Sequence, residues 1–220
     1  MIITYLHHSG FLVESDTCCL LFDYYTENGK MDFLKDATFS KPLYTFVSHR
    51  HGDHFDPAIF SLPGKKILSN DIFRSRAPET DVVFVKPHET IAVDDLKITT
   101  LRSNDEGVAY LVEADGKTIF HAGDLNWWHW NGEPDSYNDG MARSFCGEID
   151  RLRGRTIDVA CLPLDPRLED KFDWGIRYFA KQVDAKAIFP MHFWGDFRVC
   201  DRIEVPHFVS IHRPNESFIR

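Results

Sequence analysis

The segment SHRHGDHFD, residues 48–56, contains three histidines and two aspartates within nine positions. His49 and His51 are two residues apart, so on an extended strand end their side chains point to the same side. Asp53 and His54 follow in the turn, where they can face a second point nearby. Imidazole and carboxylate groups are ligands for zinc, iron or manganese, and two such ions close together form a hydrolytic site. The segment therefore predicts a metal site, in preference to a capped polar loop whose histidines bond backbone carbonyls.

The surrounding sequence predicts the elements that position this segment. KPLYTFVS reads as a buried strand that runs into the histidines, and Asp56 followed by Pro57 is typical of an N-cap and a first helical residue. Further apolar or alternating stretches predict strands: IITYL, FLVE, CCLLFD, DVVFV, TIAV, LKITTLR, VAYLVEA, KTIFHAGD, IDVACLPL and AKAIFPMHF. Apolar residues at helical spacing predict helices over residues 138–152 and 169–183. Two strand-rich segments, each followed by a helix, favour two facing sheets with helices outside.

The pattern H-x-H-x-D-H after an apolar strand resembles the signature of the metallo-β-lactamase superfamily. IFHAGD is similar to the later G-D motif of that superfamily, and IFPMHF is similar to its last motif. The resemblance implies an α/β protein built as a four-layer αββα sandwich of two facing mixed β-sheets, with metal ions at the sheet edges. It also implies that Asp124 bridges two metals and that His192 binds the second one. The implied ligands are His49, His51, Asp53, His54, Asp124 and His192.

The N-terminal stretch YLHHSGFLVE is similar to that of a small branch of the superfamily that includes ascorbate-phosphate lactonase-like hydrolases. In that branch, the histidine that corresponds to His8 lies near the metals. The resemblance therefore implies that His8 contacts the substrate or supports a metal ligand. The alternative for His8 is an ordinary half-buried strand residue.

One position departs from the superfamily pattern. In the superfamily, the third ligand of the first metal is a histidine on the loop after one particular strand. LKITTLR matches that strand, and the loop after it in this chain is RSNDEG, without a histidine. We predict that Asp105 takes its place; Asn104 and Ser103 are weaker candidates, and His88 lies too early in the chain. A carboxylate at this point would favour manganese or iron(II) relative to an all-imidazole site. The alternative is that Asp105 only caps the turn before Gly107.

Two further segments hold candidate substrate contacts. Trp128 and Trp130 lie in LNWWHWNGEPDSYNDG, a polar stretch directly after Asp124 that is typical of a lid or a pocket wall. The alternative is that these tryptophans fill the core of the sandwich. Arg167, in LPLDPRLED, follows a predicted strand end and could hold an anionic group in bidentate fashion. A surface salt bridge is the alternative for Arg167.

Length and composition predict one domain and exclude some partners. With 220 residues, 43% of them hydrophobic, the chain can bury a sizeable core, so we expect a single hydrolase domain over residues 1–220. A net charge of −9 argues against a nucleic-acid surface, which needs a basic patch. Five cysteines without CxxC spacing, and no stretch typical of a leader peptide or a membrane span, predict a cytoplasmic protein with reduced thiols. The expected partner is a small-molecule substrate, with neither nucleic acid nor membrane, and homo-oligomerisation stays open.

Together, these features predict a metal-dependent hydrolase with two divalent metal ions, zinc first and manganese or iron as alternatives. Water activated by the metals would attack an ester-type bond, a lactone or a phosphodiester. Asp53 and Asp124 would both hold metal and orient that water. The resemblance to the lactonase-like branch favours the lactone. A different class is the alternative: a non-catalytic or single-metal binding protein that retains the fold.

Overall fold

The structure is a computed structural model that describes residues 1–73 and 81–220. Its strands in chain order are β1 (Ile2–Tyr5), β2 (Phe11–Glu14), β3 (Cys19–Phe22), β4 (Leu43–Val47), β5 (Lys65–Ser69), β6 (Val82–Val85), β7 (Thr90–Val93), β8 (Leu96–Arg102), β9 (Val108–Ala114), β10 (Lys117–His121), β11 (Thr156–Ile157), β12 (Val159–Pro163), β13 (Asp184–Ala185), β14 (Ile188–Met191) and β15 (Glu216–Ile219). Its α-helices are α1 (Asp135–Ile149) and α2 (Trp174–Gln182), and 3-10 helices cover Pro57–Ser61, Asp150–Leu152, Pro166–Lys171 and Phe197–Arg202. Within the described ranges, none of the helices is long and apolar enough to span a bilayer.

Two large mixed sheets make up most of this fold. The first has the order β15-β1-β2-β3-β4-β5-β6, and the second has the order β14-β12-β10-β9-β8-β7. Strands β3 to β6 run parallel in the first sheet, as do β10, β12 and β14 in the second, while the hairpins are antiparallel. Helices α1 and α2 contact each other, and α2 packs on β12. The predicted α/β sandwich is confirmed, although the outer layer on the first sheet is built from Pro57–Ser61 and loops in the part of the chain that the structure describes.

The main hydrophobic core lies between the two sheets. The rings of Phe22 and Phe46, on the first sheet, stack with centroids 4.8 Å apart, and the ring of Tyr110, on the second sheet, meets Phe46 edge-on at 5.3 Å. The buried Tyr110 hydroxyl donates hydrogen bonds to the carbonyl oxygens of Val47 and Ile67 at 2.8 and 3.1 Å. These bonds satisfy the hydroxyl and tie the two sheets together in one relative position.

The predicted helices agree with the structure in one case and differ in the other. The helix expected over residues 138–152 corresponds to α1 and the 3-10 turn that follows it. The helix expected over 169–183 is instead two elements, Pro166–Lys171 and α2. The interruption has a local cause, because Asp165 caps the first piece by accepting from the Arg167 amide and Glu169 adopts a left-handed φ of 55°. Apolar periodicity does not report such backbone breaks.

The parallel strands place a row of polar residues at one edge of the sandwich. Asp23 directly follows β3, and His49 lies two residues beyond the end of β4. Asp124, Asp165 and His192 follow β10, β12 and β14 in the same way. Carboxyl ends of parallel strands meet at a common edge, which is where α/β folds bind their ligands.

Candidate metal centre

Two groups of metal-ligand side chains meet at this edge. The donor atoms of four residues lie within 4.8 Å of one another and are termed the inner group: His8, Asp53, His54 and His192. Four others meet the same limit and are termed the outer group: His49, His51, Asp105 and Asp124. All residues predicted as metal ligands therefore come together. His8, predicted as a neighbouring contact, lies among the inner donors.

Asp124 faces both groups. Its Oδ1 atom lies 3.2 Å from His54 Nε2 and 3.4 Å from His192 Nε2, which belong to the inner group. Its Oδ2 atom lies 3.6 Å from His49 Nε2, in the outer group. A carboxylate has lone pairs on both oxygens, so this orientation lets one side chain serve two neighbouring cations.

Close backbone packing holds the two ligand loops beside the histidine segment. Gly123 precedes Asp124 with φ +52°, and a Cβ at this glycine would lie 2.6 Å from Ser48 Cβ. Gly107, with φ +68°, follows the Asp105 loop, and a Cβ there would lie 2.0 Å from Ser48 O. Only glycine fits either position, because any side chain would push its loop away from the centre.

Three of the imidazole rings are oriented by hydrogen bonds to their Nδ1 atoms. His54 Nδ1 lies 2.8 Å from Asp23 Oδ2, and His192 Nδ1 lies 3.0 Å from Asp165 Oδ2. In the same way, His49 Nδ1 lies 2.9 Å from the hydroxyl oxygen of Ser48. Metal-ligating histidines commonly donate the other ring N–H in this way, which fixes the tautomer and leaves Nε2 with its lone pair.

Asp23 is a functional residue that the sequence analysis missed. It is fully buried, and it accepts hydrogen bonds from the Ser48 amide and hydroxyl at 2.7 Å in addition to its contact with His54. The available signal was its position directly after a buried strand, CLLF, at the strand edge where Asp124 also follows its own strand. Asp23 therefore holds Ser48 and His54 of the histidine segment in position through hydrogen bonds.

The donor set fits a bound cation. In the part of the chain that the structure describes, His8 Nε2, His54 Nε2 and Asp124 Oδ1 are buried and make no hydrogen bond. An unsatisfied buried polar atom costs about 1–3 kcal/mol, so several of them pointing at one place are unfavourable without a ligand. Nitrogen and carboxylate donors at this spacing are the chemistry that a divalent transition metal requires.

Burial and neighbouring charge shift the pKa values of the centre. Burial lowers the pKa of His8 to about 4 and that of His49 to about 3, so both imidazoles are neutral near pH 7. Burial acts in the same direction on His54, but the Asp124 and Asp23 carboxylates outweigh it and raise the pKa of His54 well above its usual value. Burial would raise the pKa of Asp124, yet His54 and His192 hold it well below the ordinary range. The Asp124 carboxylate is therefore ionised near neutral pH, as a metal ligand must be.

The outer group contains one of the candidates for the place of the missing family histidine. Asp105 Oδ2 lies 3.5 Å from His51 Nδ1. Asn104 is used elsewhere, because its amide nitrogen donates to Asn126 O at 2.8 Å, and the Ser103 hydroxyl accepts from the Asp105 amide. His88 pairs with Glu148 at 2.9 Å, outside the centre. Among the candidates weighed from the sequence, Asp105 alone belongs to the outer group within the described ranges.

Glu106 is a further carboxylate beside His51 that the sequence analysis did not consider. Its Oε2 atom lies 3.5 Å from His51 Nε2, and its Oε1 atom accepts from Arg50 Nη2 at 2.5 Å. The pairing with Arg50 holds Glu106 on the far side of the His51 ring from Asp105. His51 is therefore flanked by two carboxylates, one at each ring nitrogen.

A cavity of about 260 Å³ lies over both groups. Its wall includes the predicted contacts Trp128, Trp130 and Arg167, together with the unpredicted Tyr137 and Trp194. The rings of Trp128 and Trp130 stack with an interplanar angle of 5° and centroids 6.0 Å apart. Trp128 is also buried in the core and donates from Nε1 to Asp124 O at 2.9 Å, so it combines the two roles that the sequence left open.

Arg167 projects into this cavity between two aromatic rings. Its guanidinium carbon lies 4.5 Å from the Trp194 ring centroid and 5.7 Å from that of Trp130. Its Nε and Nη2 atoms donate to the buried Asp165 carboxylate, which also contacts His192. Asp165 thus connects the arginine of the cavity wall to an inner-group histidine.

Comparison with known proteins decides the family. Residues 2–129 match the family model of the beta-lactamase superfamily domain. The chain belongs to this family. The chain is also similar to a UPF0173 metal-dependent hydrolase of Pyrococcus abyssi, with 27% identity over 209 residues that cover 87% of this chain and 84% of that protein.

Solved structures show the same superfamily fold. The metallo hydrolase Igni18 of Ignicoccus hospitalis aligns with a TM-score of 0.68 at 17% identity, covering 99% of this chain and 97% of that one. The metallo-β-lactamase fold protein YhfI of Bacillus subtilis aligns with a TM-score of 0.66 at 15% identity and covers 99% of both chains. The predictions of superfamily, fold and enzyme class are confirmed: the protein is a metal-dependent hydrolase of the β-lactamase superfamily. The roles of individual residues stay predictions.

Proposed function

We propose that this hydrolase uses two divalent metal ions to cleave an ester-type bond, a lactone or a phosphodiester, in a small anionic molecule. The position of Asp124 carries the proposal, because its two carboxylate oxygens face different ligand groups below one cavity. We also propose that residues 1–220 act as one catalytic domain. This proposal is supported by the two ligand groups, because each combines residues that follow strands of both large sheets.

Each ligand group would hold one ion, and Asp124 would be shared between them. The outer ion would bind His49, His51, Asp105 and Asp124, and the inner ion would bind Asp53, His54, Asp124 and His192. Bound divalent ions lower the pKa of water and stabilise negative charge that develops on oxygen. Zinc suits the imidazole donors, while the carboxylate of Asp105 makes manganese or iron(II) the alternative at the outer position.

The two aspartates have distinct tasks in this proposal. Asp124 lies at the base of the cavity and orients the attacking water by accepting a hydrogen bond from it. Asp53 also lines the cavity, and its side chain is 27% exposed, so water can reach its carboxylate. Asp53 would orient the water from the exposed side of the cavity, where solvent takes up the proton that the water loses and supplies one to the leaving oxygen as the ester bond breaks.

The cavity wall supports an anionic substrate. Arg167 is the permanent cation among the lining residues, and Trp130 and Trp194 hold its guanidinium from two sides. Asp165 uses Nε and Nη2, which leaves Nη1 without a hydrogen-bond partner among the described residues. An anionic group of the substrate would bind this N–H pair, and its apolar part would lie against Trp128 and Trp130.

Metal analysis combined with a substrate panel tests the proposal. The purified protein should contain stoichiometric zinc, manganese or iron and should hydrolyse a chromogenic phosphodiester or a lactone. A chelator should abolish turnover, and added metal should restore it. Protein without stoichiometric metal would refute the metal-dependent mechanism.

A single-metal binding protein is the second candidate, and one observation favours it. The side chains of His51 and Asp105 are 43% and 41% exposed, so the outer group is more open to water than the inner one. If only the inner position is filled, the fold would bind one ion without the second needed for hydrolysis. One tightly bound ion per chain, with no turnover on any ester of the panel, would establish this candidate.

A further inference from the structure

His8 lies on the tight turn between β1 and β2. The turn is closed by two backbone hydrogen bonds, from Leu6 N to Gly10 O and from Gly10 N to His7 O. His8 itself has a φ of 55°, a left-handed conformation that is unfavourable for a residue other than glycine. Backbone strain of this kind persists only where the surroundings enforce it, and it is common at functional sites.

A second contact ties His8 to the last ligand loop. The backbone amide of His192, which also has a left-handed φ of 63°, donates to His8 O at 3.1 Å. The two imidazole rings have centroids 4.4 Å apart, and the His8 side chain is only 3% exposed. The turn therefore directs the His8 ring toward the inner group, away from solvent.

The contact between His8 and Asp53 is close but poorly aligned for a hydrogen bond. His8 Nε2 lies 3.2 Å from Asp53 Oδ2, yet Nε2 is buried without a hydrogen-bond partner within the described ranges. An N–H on this nitrogen would not point at that oxygen. Both atoms lie within 4.8 Å of the donor atoms of His54 and His192.

The spacing of these atoms matches a coordination shell. With metal–ligand bonds of about 2.0–2.2 Å, neighbouring donors of a four- or five-coordinate ion lie about 3–4 Å apart. Around the inner position these donor pairs are 3.2 Å apart for His8–Asp53 and His54–Asp124, and 3.4 Å apart for His192–Asp124. The pairs of Asp53 with His54 and His192 are 4.0 Å apart. His8 Nε2 is therefore placed as a donor of the inner ion.

We propose that His8 binds the inner metal through Nε2, which makes it a metal ligand in place of a substrate contact. The inner ion then has five protein ligands: His8, Asp53, His54, Asp124 and His192. This inference rests on the proposed function, because it requires a metal at the inner position. It assigns different duties to the two positions: five protein donors would fill the coordination of the inner ion, and the outer ion, with four, would keep an open place for substrate.

Metal titration of His8→Gln tests the assignment without using activity. Metal-free wild-type protein is titrated with cobalt(II), followed by its visible absorption, which depends on coordination number. The variant should bind the first equivalent about 100-fold more weakly or worse, since changing even a supporting residue costs 10–100-fold. Its visible spectrum should also change. His7→Gln is the matched control, because His7 is adjacent but lies outside both groups. The control should titrate like the wild type.

A second measurement uses the wild-type protein, so its result does not depend on whether the variant folds. Isotope-labelled histidine and one equivalent of an NMR-active cadmium isotope should reveal metal–nitrogen coupling at Nε2 of His8, His54 and His192, the imidazoles of the inner group. Coupling at only two of them, or a His8→Gln variant with wild-type cobalt affinity and spectrum, would overturn the role of His8. Wild-type protein that binds no cobalt at all would instead refute the proposed function.

Discussion

The inner and outer groups contain the same kinds of donor but differ in their surroundings. In the inner group the three histidines are at most 3% exposed and Asp53 is 27% exposed. In the outer group His49 and Asp124 are buried, but His51 and Asp105 are 43% and 41% exposed. Burial removes competing water and fixes donors in place, while exposure lets a substrate approach. On the proposed function, we expect the inner position to retain its ion and the outer position to meet the substrate.

The residues behind the ligands show the same contrast. Inner His54 and His192 are backed by the carboxylates of Asp23 and Asp165, whereas outer His49 is backed by the neutral hydroxyl of Ser48. A carboxylate behind a ligating imidazole raises its basicity and its affinity for metal. Both burial and support therefore favour tighter binding at the inner position. The following predictions test this difference.

Replacing Asp124 should weaken metal binding at both the inner and the outer position, so the two positions should no longer differ. Asp124→Ala takes a donor from each group, so we expect hydrolysis to fall about 1000-fold or more, beyond the 10–100-fold cost of losing a residue that only supports a ligand. The fold should persist, because the carboxylate lies at a strand end and not within the apolar core. Turnover and metal content measure the effect, with the exposed Asp139→Ala as the control. A variant with both metals and near-full turnover would contradict the bridging role.

Replacing Asp105 should affect the outer position alone. Asp105→Ala should lower the metal content to about one ion per chain, because the outer ion then keeps only His49 and the 43% exposed His51 besides the shared Asp124, a set below three ligands of its own. Asp105→His should tighten zinc at this position. Glu106→Gln is the matched comparison, since Glu106 contacts the other nitrogen of His51. Two ions held with unchanged affinity by Asp105→Ala would show that Asp105 only caps its turn.

Removing the charge behind His54 should weaken the inner position. Asp23→Asn keeps the size of the side chain but replaces the acceptor of the His54 N–H, so the affinity for the first ion should fall about 10–100-fold. Affinity for the second ion should change less, because His49 contacts Ser48 and not Asp23 directly. Competitive chelator titration measures both constants. Equal losses at the two positions would mean that Asp23 supports the whole histidine segment through Ser48.

Changes in the cavity wall should alter substrate binding and leave both ions in place. Arg167→Gln should raise KM for anionic esters about 10–100-fold, the equivalent of a charged hydrogen bond, and leave neutral esters nearly unchanged. Trp130→Ala should raise KM about 3–10-fold, in line with the loss of an aromatic stack. Initial-rate kinetics and metal analysis on the same samples check both. If Trp130→Ala fails to fold, Trp130 is a residue of the core and not a substrate contact.

The chemistry of the centre and its position at the strand ends were predictable from the sequence. The spacing of His49, His51, Asp53 and His54 after an apolar strand requires only local geometry, because alternating side chains of a strand share a side. Asp124 and His192 were instead implied by the resemblance to the superfamily motifs, and both follow their own strands. Local patterns also predicted the sheets, and they failed where one residue, Glu169, breaks a helix by its backbone conformation.

Only the tertiary structure decided which distant residues meet those ligands. His8 reaches the inner group because the β1–β2 turn bonds to the loop of His192, far along the chain. Asp23 supports His54 because β3 lies beside β4, and Asp105 faces His51 because the two sheets pack together at Gly107. These contacts join residues that share no local pattern. They depend on how the sheets pack, and sheet packing is a property of the whole chain.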